Sequence, residues 1–301
     1  MAINQQTNPA TAAGIQLYAD TLIEALSARL VEIDGFARNF SDDFRQPGDT
    51  LNVPYVEGNA VGDFNASTNN FATATTEALK NVVVKLGEHP IIKFTVTPEM
   101  VANFTPNFWE EKAKLNANAL ADSILQKIAA IPVSSKVTQS IQLPKDVCTY
   151  EDVIDVAAKA DSLKIRTREA TLYLANADYF RLLKSLTYNA VGTTSITTGD
   201  VGVDFGFRRI VCLPPQIAGG GFVGTANLLG IASKPYVGET VGARGNIILE
   251  NLLTEPNTGL TVVQTLVIDD ATKATIHNLD CWYGAEIADP KAGIKITHAA
   301  A

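Results

Sequence analysis

Apolar positions along this chain keep two rhythms. Between residues 107 and 131 they recur three and four apart, at Ala113, Ala117, Leu120, Ala121, Ile124, Leu125, Ile128 and Ile131, which draws one stripe along a helix. Asn107, with Glu110 three residues on, supplies an N-terminal cap. Glu110 and Glu111 suit the positive end of the helix dipole, Lys127 suits the other end, and Pro132 marks the stop. About 25 residues at ~1.5 Å each make a rod of roughly 37 Å, near twice the ~19 Å radius of gyration of a compact chain this long. Everything that reads as strand can be set against that rod. Taken alone, the pattern is that of an ordinary long core helix.

Helical spacing recurs at Leu17, Leu22, Ile23, Leu26, Leu30 and Ile33 in residues 15–40, a helix-rich arm. A short helix capped by Thr97 runs to Phe104. Residues 150–163 form an amphipathic helix carrying Val153, Ile154, Val156, Ala157 and Ala160, and 176–186 another with Tyr179, Leu182 and Leu183 inward. The second rhythm is alternation or short apolar runs. It predicts strands at 51–56, 79–86, 90–96, 133–143, 170–175, 207–213, 226–232 and 247–252, then a hairpin of 260–268 and 274–279 across the turn from Asp269 to Lys273. The fold class is therefore α+β. Strands flank the long helix on both sides in sequence, with a separate α/β block inserted between them.

Residues 57–78 obey neither rhythm. They are Gly, Asn, Ala, Ser and Thr with almost no charge, and Phe64 and Phe71 are the only large apolar groups. Loops beyond about 15 residues are uncommon in compact domains and are usually functional or disordered. The strands on either side make this segment the tip of a long two-stranded arm; composition alone equally allows a surface insertion. Extended at ~3.3 Å per residue, the roughly 14 residues after Pro54 would reach ~46 Å.

Charge narrows the classes. In 301 residues, 24 Lys and Arg face 32 Asp and Glu, giving −8, and no run of basic residues provides a phosphate-lined groove. At 46% hydrophobic and 19% charged, the chain can bury a core. Cys148, Cys212 and Cys281 are far apart with no CxxC, and read as buried reduced thiols of a cytosolic synthesis site. The N-terminus has no basic and apolar leader pattern, and no apolar run reaches the length of a membrane span.

The sharpest chemical motif is Gly219-Gly220-Gly221-Phe222-Val223-Gly224, a GxGxxG match with Glu239 about where a ribose-binding carboxylate would stand. A dinucleotide site needs those glycines to turn a strand directly into a helix whose N-terminus faces the pyrophosphate. Here Pro214 and Pro215 precede them, a strand pattern follows, and Pro235 bars a helix, so a flexible glycine loop is expected. Asp42 with Asp43 and Asp269 with Asp270 read as solvated turn residues. His89, His277 and His298 have no metal-ligand spacing, and His277 reads as a strand residue. No catalytic, cofactor-binding or metal residue is assigned.

The order of elements resembles the major capsid (coat) proteins of tailed bacteriophages, the Hong Kong 97-like fold. The stretch Asp43-Phe44-Arg45-Gln46-Pro47-Gly48-Asp49-Thr50-Leu51-Asn52-Val53-Pro54 is similar to that family's entry to an extended loop, and Ile92-Lys93-Phe94-Thr95-Val96-Thr97 to its exit toward a spine helix. Tyr173-Leu174-Ala175-Asn176-Ala177-Asp178-Tyr179 resembles the strand-to-helix step of the axial domain, Gly206-Phe207-Arg208-Arg209-Ile210-Val211 the strand after it, and Trp282-Tyr283-Gly284 with Asp289-Pro290 the closing strand and turn.

The resemblance implies an N-terminal arm at 1–50, an extended loop at 51–96, a peripheral domain with the spine helix at 97–143, an axial α/β domain at 144–254 and a return to the peripheral domain at 255–301. It implies a subunit that self-assembles through hexamers and pentamers into an icosahedral shell around double-stranded DNA, with no sequence-specific binding, no cofactor and no membrane. The place would be the virion, after assembly in the host cytoplasm. Only about 40 residues precede the loop, so a separate scaffolding protein, or none, is implied, alongside a portal. Phe64 and Phe71 would touch a neighbouring subunit; Ala117, Leu120, Ala121, Ile124 and Ile128 would form the core face of the spine helix. Two rivals stand beside this: an encapsulin-like compartment with the same fold, and a nucleotide-dependent enzyme using the glycine loop.

Overall fold

The structure is a computed structural model that describes residues 9–40, 50–55, 80–103, 106–134, 136–145, 147–189, 205–217, 220–235, 247–269 and 271–299. Along them run α1 (Pro9–Leu30), a 3-10 turn (Ile33–Gly35), β1 (Ala37–Asn39), β2 (Thr50–Tyr55), β3 (Lys80–Lys85), β4 (Ile91–Val96), α2 (Pro98–Asn103) and α3 (Pro106–Val133). Then come β5 (Ser140–Leu143), α4 (Tyr150–Ser162), a second 3-10 turn (Thr167–Glu169), β6 (Thr171–Leu174), α5 (Asn176–Asn189), β7 (Arg209–Cys212), β8 (Gly221–Gly224) and β9 (Leu229–Ser233). The chain closes with β10 (Ile247–Thr254), β11 (Thr261–Ile268), β12 (Thr275–Cys281), β13 (Tyr283–Ile287) and β14 (Gly293–His298).

The helical stripe of α3 is buried from Ala113 to Ile128, and α1 lies along it with its own stripe of Tyr18, Leu22, Leu26 and Leu30. Each Leu or Ile so buried contributes roughly 1.5–3 kcal/mol. The Asn116 side chain donates to the Tyr18 hydroxyl at 2.8 Å, so the polar groups inside this helix pair are matched. Against the helices lies an antiparallel sheet of order β10-β11-β12-β4, whose Val96, Val262 and Leu279 share the same core.

A second, five-stranded sheet has the order β5-β14-β8-β6-β7. Alternation along its strands divides it between two cores. Tyr173, Phe222 and Val211 face the α1–α3 side, where Phe36 meets Tyr173 and Phe222 edge-on. Leu172, Leu174, Val223, Ile294 and Ile296 face the other side, under α4 and α5. The α4 terminus is fixed by a capping box, with the Thr149 side chain accepting from the Asp152 N–H and the Asp152 carboxylate accepting from the Thr149 N–H.

A three-stranded sheet, β1-β9-β13, connects the two halves. The remaining pair, β2 with β3, is an antiparallel ribbon in register from Thr50 opposite Lys85 to Tyr55 opposite Lys80.

Several expectations change. The helix expected within 15–40 runs from Pro9 to Leu30, and Leu22, Leu26 and Leu30 of its stripe are buried. Pro132 does not end α3; it sits inside the last turn, where one lost N–H bond still lets the helix reach Val133. The strand expected at 133–143 is only Ser140–Leu143, because helix occupies its start. Ile154 is exposed, since Val153, Val156 and Ala160 already fill the buried side of α4.

The glycine loop is the largest correction. Its second half is β8, a buried strand between β14 and β6. Gly221 has φ +127°, and a Cβ there would run into the carbonyl of Tyr173 on the next strand. Glycine is used here for close approach, not for flexibility. β14 was not anticipated. Pairings also cross the expected boundaries: β9 and β10, from 144–254, join sheets with β13 and β11, while β14, from 255–301, joins the five-stranded sheet.

Candidate functional site

Among the described residues no group of three or more His, Cys, Asp or Glu is placed to hold a metal ion. After β8 the chain turns at Ala226–Asn227 into β9, so no helix N-terminus faces the glycines. Gly219 and Glu239 lie outside the described residues, as do Asp42, Asp43 and Asp270. Burial pushes the thiols of Cys148 and Cys281 up to about 12, the carboxylates near Cys148 adding to the effect, so neither is a thiolate nucleophile near neutrality.

The histidines serve the framework. His277, on β12, is buried between Phe94 and Trp109, and burial lowers its pKa to about 4. His89 lies tilted against Trp282 with ring centroids 4.2 Å apart, and its Nε2 is 3.7 Å from Asp280. His298, at the end of β14, places Nε2 2.7 Å from the buried Asp178 carboxylate on α5 and Nδ1 2.8 Å from the Pro144 carbonyl. Arg181 donates to the other Asp178 oxygen at 3.0 Å. Burial lowers the His298 pKa, but the two acceptors outweigh it and hold it above the ordinary value. Both ring nitrogens meet acceptors, so the pair is an ion-paired fastening between elements. Glu255, buried in the turn after β10, accepts from Asn257 and Thr258 and closes that turn.

What the fold does present is a rooted ribbon. Past β3 the chain crosses β13, where Glu88 and Tyr283 exchange backbone hydrogen bonds of 3.0 Å in both directions. The Glu88 carboxylate pairs with Lys127 of α3. Val84 and Leu86 pack with Ala232 and Phe40, and a Cβ on Gly284 would strike the carbonyl of Lys85. The β2–β3 ribbon is thus fixed at its base to the long helix and to β13. Phe64 and Phe71, at the expected tip, lie outside the described residues.

Ala117, Leu120, Ala121, Ile124 and Ile128 are each at most 1% exposed and form core rather than a binding surface. Exposed apolar groups are elsewhere: Leu115 on the far side of α3, Ile91 on the edge strand β4 and Phe180 on α5. Sequence reading passed over the Asp178–His298 and Glu88–Lys127 pairs because each joins residues distant in the chain. The arrangement assembles no nucleophile, base and oxyanion site among the described residues.

No protein-family model matches the chain, and no curated protein matches its sequence. Solved structures match it over nearly full length. A structure from Mycobacterium phage Che8 is 13% identical with a TM-score of 0.52, covering 83% of this chain and 84% of that one. The capsid structure of the cyanophage P-SCSP1u is 12% identical with a TM-score of 0.54, covering 88% and 87%. A virus-like particle from Pyrococcus furiosus is 9% identical with a TM-score of 0.54, covering 93% and 97%. The long helix, the rooted ribbon and the sheet blocks together are the Hong Kong 97-like fold of phage capsid structures.

Proposed function

We propose that this chain is a major capsid protein, whose copies assemble into the icosahedral shell of a phage around its double-stranded DNA. The observation that carries the reading is the mutual coverage. The cyanophage capsid structure and this chain cover each other to 87% and 88%, so the likeness extends over most of both. The net charge of −8 supports enclosure without gripping, because a shell whose inner face held phosphates tightly would resist packing and release of a genome.

In this reading copies first meet in hexamers and pentamers, a separate scaffolding protein and a portal guide closure, and the product is a virion component with no enzymatic task. No helix among the described residues is long and apolar enough to cross a membrane. Residues 51–96 act as an extended loop lying on the neighbouring subunit, with Phe64 and Phe71 as its apolar anchors. An isolated two-stranded ribbon is at best marginally stable in water, which favours a neighbour beneath it.

Electron microscopy of the purified chain, alone and co-expressed with the genes beside its own, tests the reading. Closed shells with nuclease-protected DNA are expected once portal and packaging proteins are present. Shells that hold only protein cargo would instead place it with compartment-forming relatives of the same fold, and a chain that stays monomeric in every combination would overturn the proposal.

A further inference from the structure

The sequence contains no basic run, yet the fold builds a basic corner. The Thr167–Glu169 turn leads into β6, the Arg208 N–H donates to the Ala170 carbonyl at 2.9 Å, and Arg209 is the register partner of Thr171. Arg168, Arg208 and Arg209 therefore meet where the parallel β6–β7 pair begins, and Lys164 and Arg166 precede them on the connection from α4. All five are exposed. Arg166 is engaged by Glu169 at 3.2 Å, and Arg209 lies near Glu32. Arg168 and Arg208 have no ion-pair partner among the described residues.

Toward the opposite edge of the same sheet, past the exposed Lys145 that follows β5, α4 carries an acidic stripe. β7 and β5 are its two edges, roughly 19 Å apart at ~4.8 Å per strand. α4 lies over the β5 side and turns outward a stripe of Glu151, Ile154 and Asp155, spaced i, i+3 and i+4. Ile154, between the two carboxylates, is 43% exposed. One turn on, Lys159 and Asp161 are both exposed and balance each other.

We infer that these two edges are halves of one contact between copies of this chain: the basic corner beside β7 of one subunit meets the acidic stripe of α4 on the next. The inference rests on the shell reading. The two patches differ, so the contact is head-to-tail and repeats around a ring. Charge complementarity favours a second copy over a nucleic acid. The chain as a whole is acidic, so a phosphate strand leaving the corner runs onto repelling surface, whereas a matching protein face engages the corner alone.

Charge reversal tests this. Arg168→Glu with Arg208→Glu, and separately Glu151→Lys with Asp155→Lys, change exposed side chains, and circular dichroism checks that each variant folds. Sedimentation then measures the assembled fraction. Either double reversal is expected to lower it about tenfold near ~0.1 M salt, and the chain carrying all four changes to recover most of it. Undiminished assembly in the double reversals overturns the inference while the shell reading stands. Loss without recovery in the fourfold variant, together with loss of co-purifying nucleic acid, overturns it in favour of a polyanion site. Wild-type chain that forms neither rings nor shells defeats the shell reading and this inference with it.

Discussion

His277 stacks on Phe94 with ring centroids 4.5 Å apart and planes 18° apart, and its Nδ1 is buried with no hydrogen-bond partner among the described residues. Trp109 and Tyr18 close the other sides at 5.5 and 6.2 Å, so one neutral imidazole joins α1, α3, β4 and β12. Lys112, over the Phe94 ring, adds a nearby positive charge.

Burial holds the His277 pKa at about 4, below the 6.5 of an exposed histidine. The unfolded chain therefore takes up this proton first, and stability falls as pH drops from 6.5 toward 4. The full effect is about 3 kcal/mol, from ~1.36 kcal/mol per pKa unit. His277→Phe should remove this part of the acid sensitivity, read as a flatter denaturation midpoint against pH. An unchanged acid limb would mean that carboxylates carry it.

His298 works in the opposite direction. Its folded pKa is raised, so the proton stabilises the fold below 6.5 and the contribution is lost as pH climbs through the folded value. His298→Ala should lower the melting temperature most in mildly acidic buffer and least in alkaline buffer. A loss independent of pH would mean the ring acts only by packing.

On α3, Ile124→Asp puts an unpaired charge in the core and should cost several kcal/mol, enough to prevent folding. Lys127→Ala, three residues on, removes a half-exposed pair with Glu88 and should cost less than about 1 kcal/mol. Thermal melts of the two variants check the assigned face of the helix.

Gly221→Ala forces a side chain into a left-handed backbone and against the Tyr173 carbonyl. Strain and overpacking together should cost roughly 2–6 kcal/mol, appearing as loss of soluble protein or of cooperative unfolding. A folded variant with a normal melt would mean that β8 does not pair as described.

Replacing residues 59–75 by a short Gly-Ser turn leaves the rooted end of the ribbon, with Glu88, Lys127 and Tyr283, untouched. The subunit should stay soluble and folded by circular dichroism, while closed shells disappear under the microscope. Normal shells would contradict the proposed role of the extended loop; loss of folding would make the segment part of the core.

Elements that bury one face on a regular period were legible in the sequence. The stripe from Ala113 to Ile128, the alternating segments before and after residues 57–78, and the hairpin of β11 and β12 were all visible as local patterns. β8 was not, because Gly221 and Gly224 are there for what they avoid: contacts with Tyr173, Phe36 and Leu228 that only the folded chain brings near. The candidate contacts were illegible for the same reason. Arg168 and Arg208 meet through strand pairing, and Asp178 and His298 are 120 residues apart. Local periodicity reports burial; it carries no information on which distant charges become neighbours.

The placement of β14 has a consequence for synthesis. It lies between β5 and β8, and Ile141, its neighbour in β5, precedes Thr297 by 156 residues. At ~5–20 residues per second, a ribosome needs roughly 8–30 s to supply the missing strand after β5 has been made. Until it arrives, β5 and, once made, β8 have open edges, and the sheet that separates the two cores cannot close. A nascent chain thus cannot finish this sheet before β14 has been made, so under the proposed shell function the timing of assembly is tied to that strand.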